Sequence, residues 1–164
     1  MAVSSDILQA WRHPRQVMAR LLGMGRREDR ALVILMAACL LIFVAQMPYL
    51  ARLAELDPSI PLDARIQSAL YAWIFLVPVF AYVLGLVLFG LLRLFGRKIS
   101  AYATRLGLFW TLLAIAPASL FFGLCRGFLG DTGGTGVAGV IVIVGFFWIL
   151  IQSLREAMSG AHDV

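Results

Sequence analysis

Residues able to do chemistry are few in this chain, and they stand far apart. A catalytic site needs a nucleophile beside a base, a pair of carboxylates, or a cluster of metal ligands. The two histidines, His13 and His162, lie near opposite ends of the sequence. The two cysteines, Cys39 and Cys125, sit in apolar runs, and neither has a second cysteine close by to suggest a redox or zinc motif. They read as small buried side chains without a bridge between them. A glycine-rich run, Gly130-Asp-Thr-Gly-Gly-Thr-Gly136, would cradle a phosphate only with a strand before it and a Lys-Ser or Lys-Thr after it; it has neither. Gln46, Tyr82, Thr111 and Ser119 are the polar side chains within apolar stretches, and their expected role is an interhelical or local backbone hydrogen bond. No Asp, Glu, Lys or His falls at the middle of an apolar run, where proton relays and ion pathways place theirs. The sequence therefore predicts no enzyme, no cofactor and no metal.

The elements that carry these side chains must live in lipid. Of the 164 residues, 62% are apolar and only 14% charged, with a mean hydropathy of +0.91. A soluble domain has nearer a quarter charged. The apolar runs are continuous rather than alternating, which favours helices over barrel strands. The predicted fold class is all-α: a polytopic membrane helix bundle of four transmembrane helices, preceded by an amphipathic interfacial segment. The net charge of +5 could suit nucleic acid in a soluble protein. In a membrane protein it is met by arginines that set orientation and touch anionic lipid, so no nucleic-acid partner is expected.

Residues 1–30 form a basic amphipathic segment. Ile7, Leu8, Trp11, Val17, Met18, Leu21 and Leu22 fall at helical spacing among Arg12, Arg15 and Arg20. Pro14 suits a first turn, so two short helices are predicted, about 5–12 and 14–23, ended by Gly23 and Gly25. Such a helix either lies on the membrane surface or packs on the protein's own cytoplasmic face. The transmembrane bundle, 31–154, has spans at about 31–50, 69–95, 105–130 and 135–154. Asp57-Pro58 suggests a short capped helix, and a helix starting near Pro61 should run into the second span. Pro78 and Pro117 should bend the second and third spans. Arg93, Arg97, Lys98 and Arg105 make a basic turn, Arg126 can reach towards Asp131, and 155–164 is a polar tail.

Counting Arg and Lys gives orientation. Eleven fall on the side holding the first thirty residues, the Arg93–Arg105 turn and the tail; three (Arg52, Arg65 and Arg126) fall on the other. By the positive-inside rule both termini are cytoplasmic.

Gly96-Arg-Lys-Ile-Ser100, followed by an apolar helix with Trp110 ten residues on and Pro117 two turns further, resembles the third quarter of a YIP1-family membrane domain. His13 to Leu22 resembles the proline-led amphipathic segment of bacterial members, and Gly145 to Trp148 the final helix. The resemblance implies a multi-pass protein of the bacterial inner membrane. The Asp-Leu-Tyr-Gly-Pro motif and fifth span usual in eukaryotic members are absent, so their association with Rab GTPases does not carry over.

Two functions follow as expectations. The first is a non-enzymatic module that binds or scaffolds membrane lipid, another membrane protein or a second copy of itself. The alternative is a small transporter or channel subunit acting as an oligomer, although no small-molecule substrate is identified. The small-xxx-small pair Gly123 and Gly127, with Pro117, are candidate helix-packing residues. Arg12, Arg15, Arg20, Arg97 and Lys98 are candidate lipid-surface residues.

Overall fold

The computed structural model describes residues 3–130 and 132–159, with side chains from Asp6 onward. Asp131 and His162 lie outside the described residues. Helix α1 spans Val3–Arg12 and α2 spans Pro14–Gly23. The break falls at His13, whose φ of −135° is extended. A residue before proline is kept out of the helical region, whereas proline itself is pre-set for a first turn. Gly25, at φ +84°, then takes a left-handed turn that a side chain would oppose.

Helix α3, Glu28–Leu56, opens with Glu28 and Asp29 at the positive end of its dipole. It continues past Pro48 and ends about two turns beyond the sequence expectation. Asp57 caps no short helix. Its Oδ1 instead accepts from the Ser59 amide and hydroxyl, and Oδ2 from Arg65, closing a tight turn. These bonds, that of the Ser59 hydroxyl first, hold the Asp57 carboxyl below the usual carboxylate range.

Helix α4, Leu62–Tyr71, leads through a π-helical turn, Ala72–Leu76, into α5, Val77–Leu94. The wide turn is how the chain accommodates Pro78. Proline has no N–H for the carbonyl four residues back, and its ring crowds that carbonyl. A π-turn immediately before it opens the spacing. The three segments form one apolar span of 33 residues.

Helix α6, Ala101–Leu129, begins one turn earlier than the sequence suggested, because Ser100 caps it by accepting from the Ala103 amide at 3.1 Å. Arg105 therefore lies inside the helix rather than in the basic turn. Helix α7, Gly133–Ser159, also starts early. Thr135 Oγ1 accepts from the Thr132 amide and donates to its carbonyl, so Gly133, Gly134 and Gly136 enter the helix and the glycine loop shrinks to its first residues.

Among the described residues, four helices are long and apolar enough to cross a membrane, so this is a multi-pass membrane bundle. Steric neighbours set its register. Gly123 faces Ala45 and Gly127 faces Pro48, so α3 and α6 run parallel. Gly85 meets Arg105 and Tyr82 packs edge-on to Phe109, so α5 runs antiparallel to α6. Gly139 meets Phe122 while Gly145 meets Ile115, which makes α7 antiparallel as well. Helix α6 is the hub, buried almost continuously from Tyr102 to Ala116. The second span is the least covered, with 11% of its most apolar stretch buried against 50% for α6.

The α1–α2 pair packs on the protein itself rather than floating on a membrane surface. Ala10, Val17, Met18 and Leu21 are buried among residues of α6 and α7. Trp11 goes deepest. Its indole N–H donates to the Ala114 carbonyl at 3.0 Å, and its ring lies so close to Gly145 that a Cβ there would come within 2.8 Å. Ala114 is thirteen residues into α6, about 20 Å along the helix. It also belongs to the turn just before Pro117, whose missing N–H takes the helical donor from the neighbouring Leu113 carbonyl.

Cys39 and Cys125 are both free thiols. The parallel register separates their heights by eight residues, about 12 Å, against the roughly 6 Å between Cα atoms that a disulfide allows.

Candidate functional site

Four clusters of polar side chains stand out among the described residues. At the end where α3 and α6 finish, Pro48 fills the space left by Gly127, and the Arg126 guanidinium lies 3.8 Å from the centroid of the Tyr49 ring. Arg52 donates to the carbonyls of Gly127 and Phe128 and lies against Gly130. A cation there satisfies carbonyls that a helix end leaves open, and it matches the negative end of the dipole. This cluster is a clamp between two helices.

The second cluster lies at the opposite end, which also carries the α5–α6 turn. Arg30 donates to the Leu21 and Gly25 carbonyls and to the Tyr102 hydroxyl, which in turn donates to the Arg27 carbonyl. Arg105 pairs with Glu28 and lies over the Tyr82 ring, in room left by Gly85. These bonds tie the α2–α3 connection to α6.

The third cluster is the set of hydroxyls inside the spans. Thr104 donates to the Ser100 carbonyl, Thr111 to Gly107 and Ser119 to Ile115, each within its own helix. Ser153, facing Gly107, is buried without a partner among the described residues. Phe109, Leu106, Leu108 and Ile149 are the large apolar side chains buried in the same core. Among the described residues, no three His, Cys, Asp or Glu side chains come together as a metal site would require.

The fourth is the candidate site. A cavity of about 950 Å³ opens between the end of α2, the α5–α6 turn and the end of α7. Arg26, Arg93, Arg97 and Lys98 line it, with Glu156 as the one acidic side chain, and Leu22 and Ile99 supply an apolar wall. The first turn of α6, the positive end of its dipole, forms part of the lining.

Of the residues singled out from sequence, Arg97 and Lys98 meet at this cavity. Arg12 and Arg15 are exposed on α1 and α2, away from it. Arg20 is committed within the helical pair, bonding Asp6 at 2.8 Å and Gln9 at 3.2 Å, so it is not a free lipid contact. Gly123 and Gly127 are packing residues, but towards α3 of the same chain. Pro117 is not: its ring is exposed, and its effect is felt through the turn that receives Trp11. Sequence reasoning placed Arg93 in one basic turn with Arg97 and Lys98 but missed Arg26 as their neighbour, and Pro48 as the counterpart of Gly127. A proline inside the first apolar run was the available signal for the latter.

Comparison with protein families, with curated proteins and with solved structures found no match.

Proposed function

We propose that this chain is a non-enzymatic membrane module of the YIP1 type, which binds lipid or another membrane protein through its basic end. The observation that carries the reading is where polar chemistry is left open. Inside the spans, Thr104, Thr111 and Ser119 are turned back on their own helices, while Trp110 Nε1, Gln152 Oε1 and Ser153 Oγ stay buried without a partner among the described residues. At the basic end, four cations line an open cavity. A transport path would need polar groups in file across several helices, and the packed core around Phe109 argues against one within a single chain.

The test sets protein purified in mild detergent from its native membrane beside protein reconstituted alone in liposomes. A co-purifying lipid or protein with no solute flux is expected. Specific solute flux from the chain alone would overturn the module reading in favour of the transporter.

The same reading places the protein in a bacterial inner membrane with both termini in the cytoplasm. Support comes from the positive-inside rule, since the cations around the α5–α6 turn and the first thirty residues share one end. A reporter fused after Val164 is expected to read as cytoplasmic, and one inserted near Ser59 as external. The opposite result at Val164 would reverse the orientation or change the number of crossings.

A further inference from the structure

We infer that the cavity between α2, the α5–α6 turn and α7 binds the phosphate headgroup of an anionic phospholipid carrying two or more negative charges. The inference rests on the module reading and gives its ligand a chemical class. Charge is the first argument. Arg20, Arg27, Arg65 and Arg105 each have a carboxylate partner, and Arg30 and Arg52 bond backbone carbonyls. Arg26, Arg93, Arg97 and Lys98 have no acidic partner among the described residues, although Glu156 shares their cavity. Four cations against one anion leave an excess of three charges in a single hollow. Like charges that share one hollow repel one another unless a counter-ion joins them, and arginine's planar fork matches phosphate oxygens in pairs.

Shape is the second argument. About 950 Å³ is far more than a bare phosphate fills. Leu22, Ile99 and Ala103 give the hollow an apolar side, as a glycerol backbone and the upper part of an acyl chain would require. Place is the third. The hollow lies where the apolar stretch of α5 gives way to a basic turn and α6 begins, the level at which headgroups meet a bundle. The first turn of α6 adds the positive end of a dipole.

Native mass spectrometry of detergent-purified protein, titrated with phosphatidic acid, with phosphatidylcholine of the same chains, or with inorganic phosphate, tests this. Phosphatidic acid is expected to bind at least tenfold more tightly than phosphatidylcholine. Replacing Arg97 and Lys98 together by alanine should weaken phosphatidic acid binding about 30-fold, whereas Arg12→Ala with Arg15→Ala should leave it unchanged. All four residues are exposed, and thermal melting checks that both variants fold; Arg93→Gln serves if the first does not. Equal binding of the two lipids, or equal loss in both double variants, would overturn the inference. Binding of inorganic phosphate without retention of lipid would overturn the lipid assignment and leave a soluble phosphate as the ligand. A missing lipid with a co-purifying protein partner would end this inference alone, while solute flux from liposomes would instead end the module reading.

Discussion

Leucine at both Gly123 and Gly127 is expected to separate α3 from α6 and unfold the bundle while leaving the spans inserted. A Cβ at Gly123 would overlap the Ala45 carbonyl oxygen and stand 2.7 Å from its carbon, and one at Gly127 would run into Pro48. The obstacles are backbone and a proline ring, which cannot swing aside as a long side chain can. Overpacking a core commonly costs about 1–3 kcal/mol, and these sites belong at or above the top of that range, about 3 kcal/mol each. Association of helices in lipid rests on close packing, so nothing else replaces the lost contact. Loss of a cooperative thermal transition in detergent, with carbonate-resistant membrane insertion retained, is the expected outcome. Gly90→Ala is the control, because a Cβ there meets open space. If the double leucine variant melts with the wild type, α3 and α6 do not pair as described.

Truncating Trp11 is expected to free the N-terminal helical pair. The half-buried indole fills the gap beside Gly145 and gives the Ala114 carbonyl its donor. Removing a fully buried tryptophan costs about 3–5 kcal/mol, so about 2–3 kcal/mol suits this partly covered one. Trypsin reports the result directly. Arg12 and Arg15 flank the break between α1 and α2, and their cleavage should accelerate by more than tenfold in Trp11→Ala. Trp11→Phe keeps most of the ring and loses only the hydrogen bond, about 1 kcal/mol, so it should be cut at an intermediate rate. Unchanged protection in Trp11→Ala would mean that Val17, Met18 and Leu21 hold the segment without it.

What the sequence made legible was local. Pro14 and Gly25 act through their own backbone geometry, so the bounds of α2 could be read directly. The span count follows from the length of uncharged runs. Gly123 and Gly127 could be recognised as a close-packing pair, but no local feature says which helix comes close. That choice depends on Ala45 and Pro48, more than seventy residues away in the chain. The amphipathic face of α1 and α2 was equally suited to a lipid surface and a protein groove, since both reward the same apolar stripe. Only the gap at Gly145 and the weakened turn before Pro117 decide between them. Arg93, Arg97 and Lys98 were visible as one basic turn in the sequence, whereas Arg26 joins them only once α2, α5 and α6 are assembled.

The parallel pairing of α3 with α6 has a consequence for how the protein is made. Helix α3 ends at Leu56 and its main partner at Leu129, so 73 residues must be added after α3 is complete before the two can lock. At about 5–20 residues per second this is roughly 4–15 s of synthesis. During that interval the first two spans are alone in lipid with the packing faces of Ala45 and Pro48 unfilled. The N-terminal pair waits longer still, because its groove also needs α7, which emerges after α6. Until then its stripe of Val17, Met18 and Leu21, bordered by arginines, lacks the α7 side of that groove. The docked helix thus describes the finished chain, and an undocked amphipathic pair is what the order of synthesis leads one to expect before it.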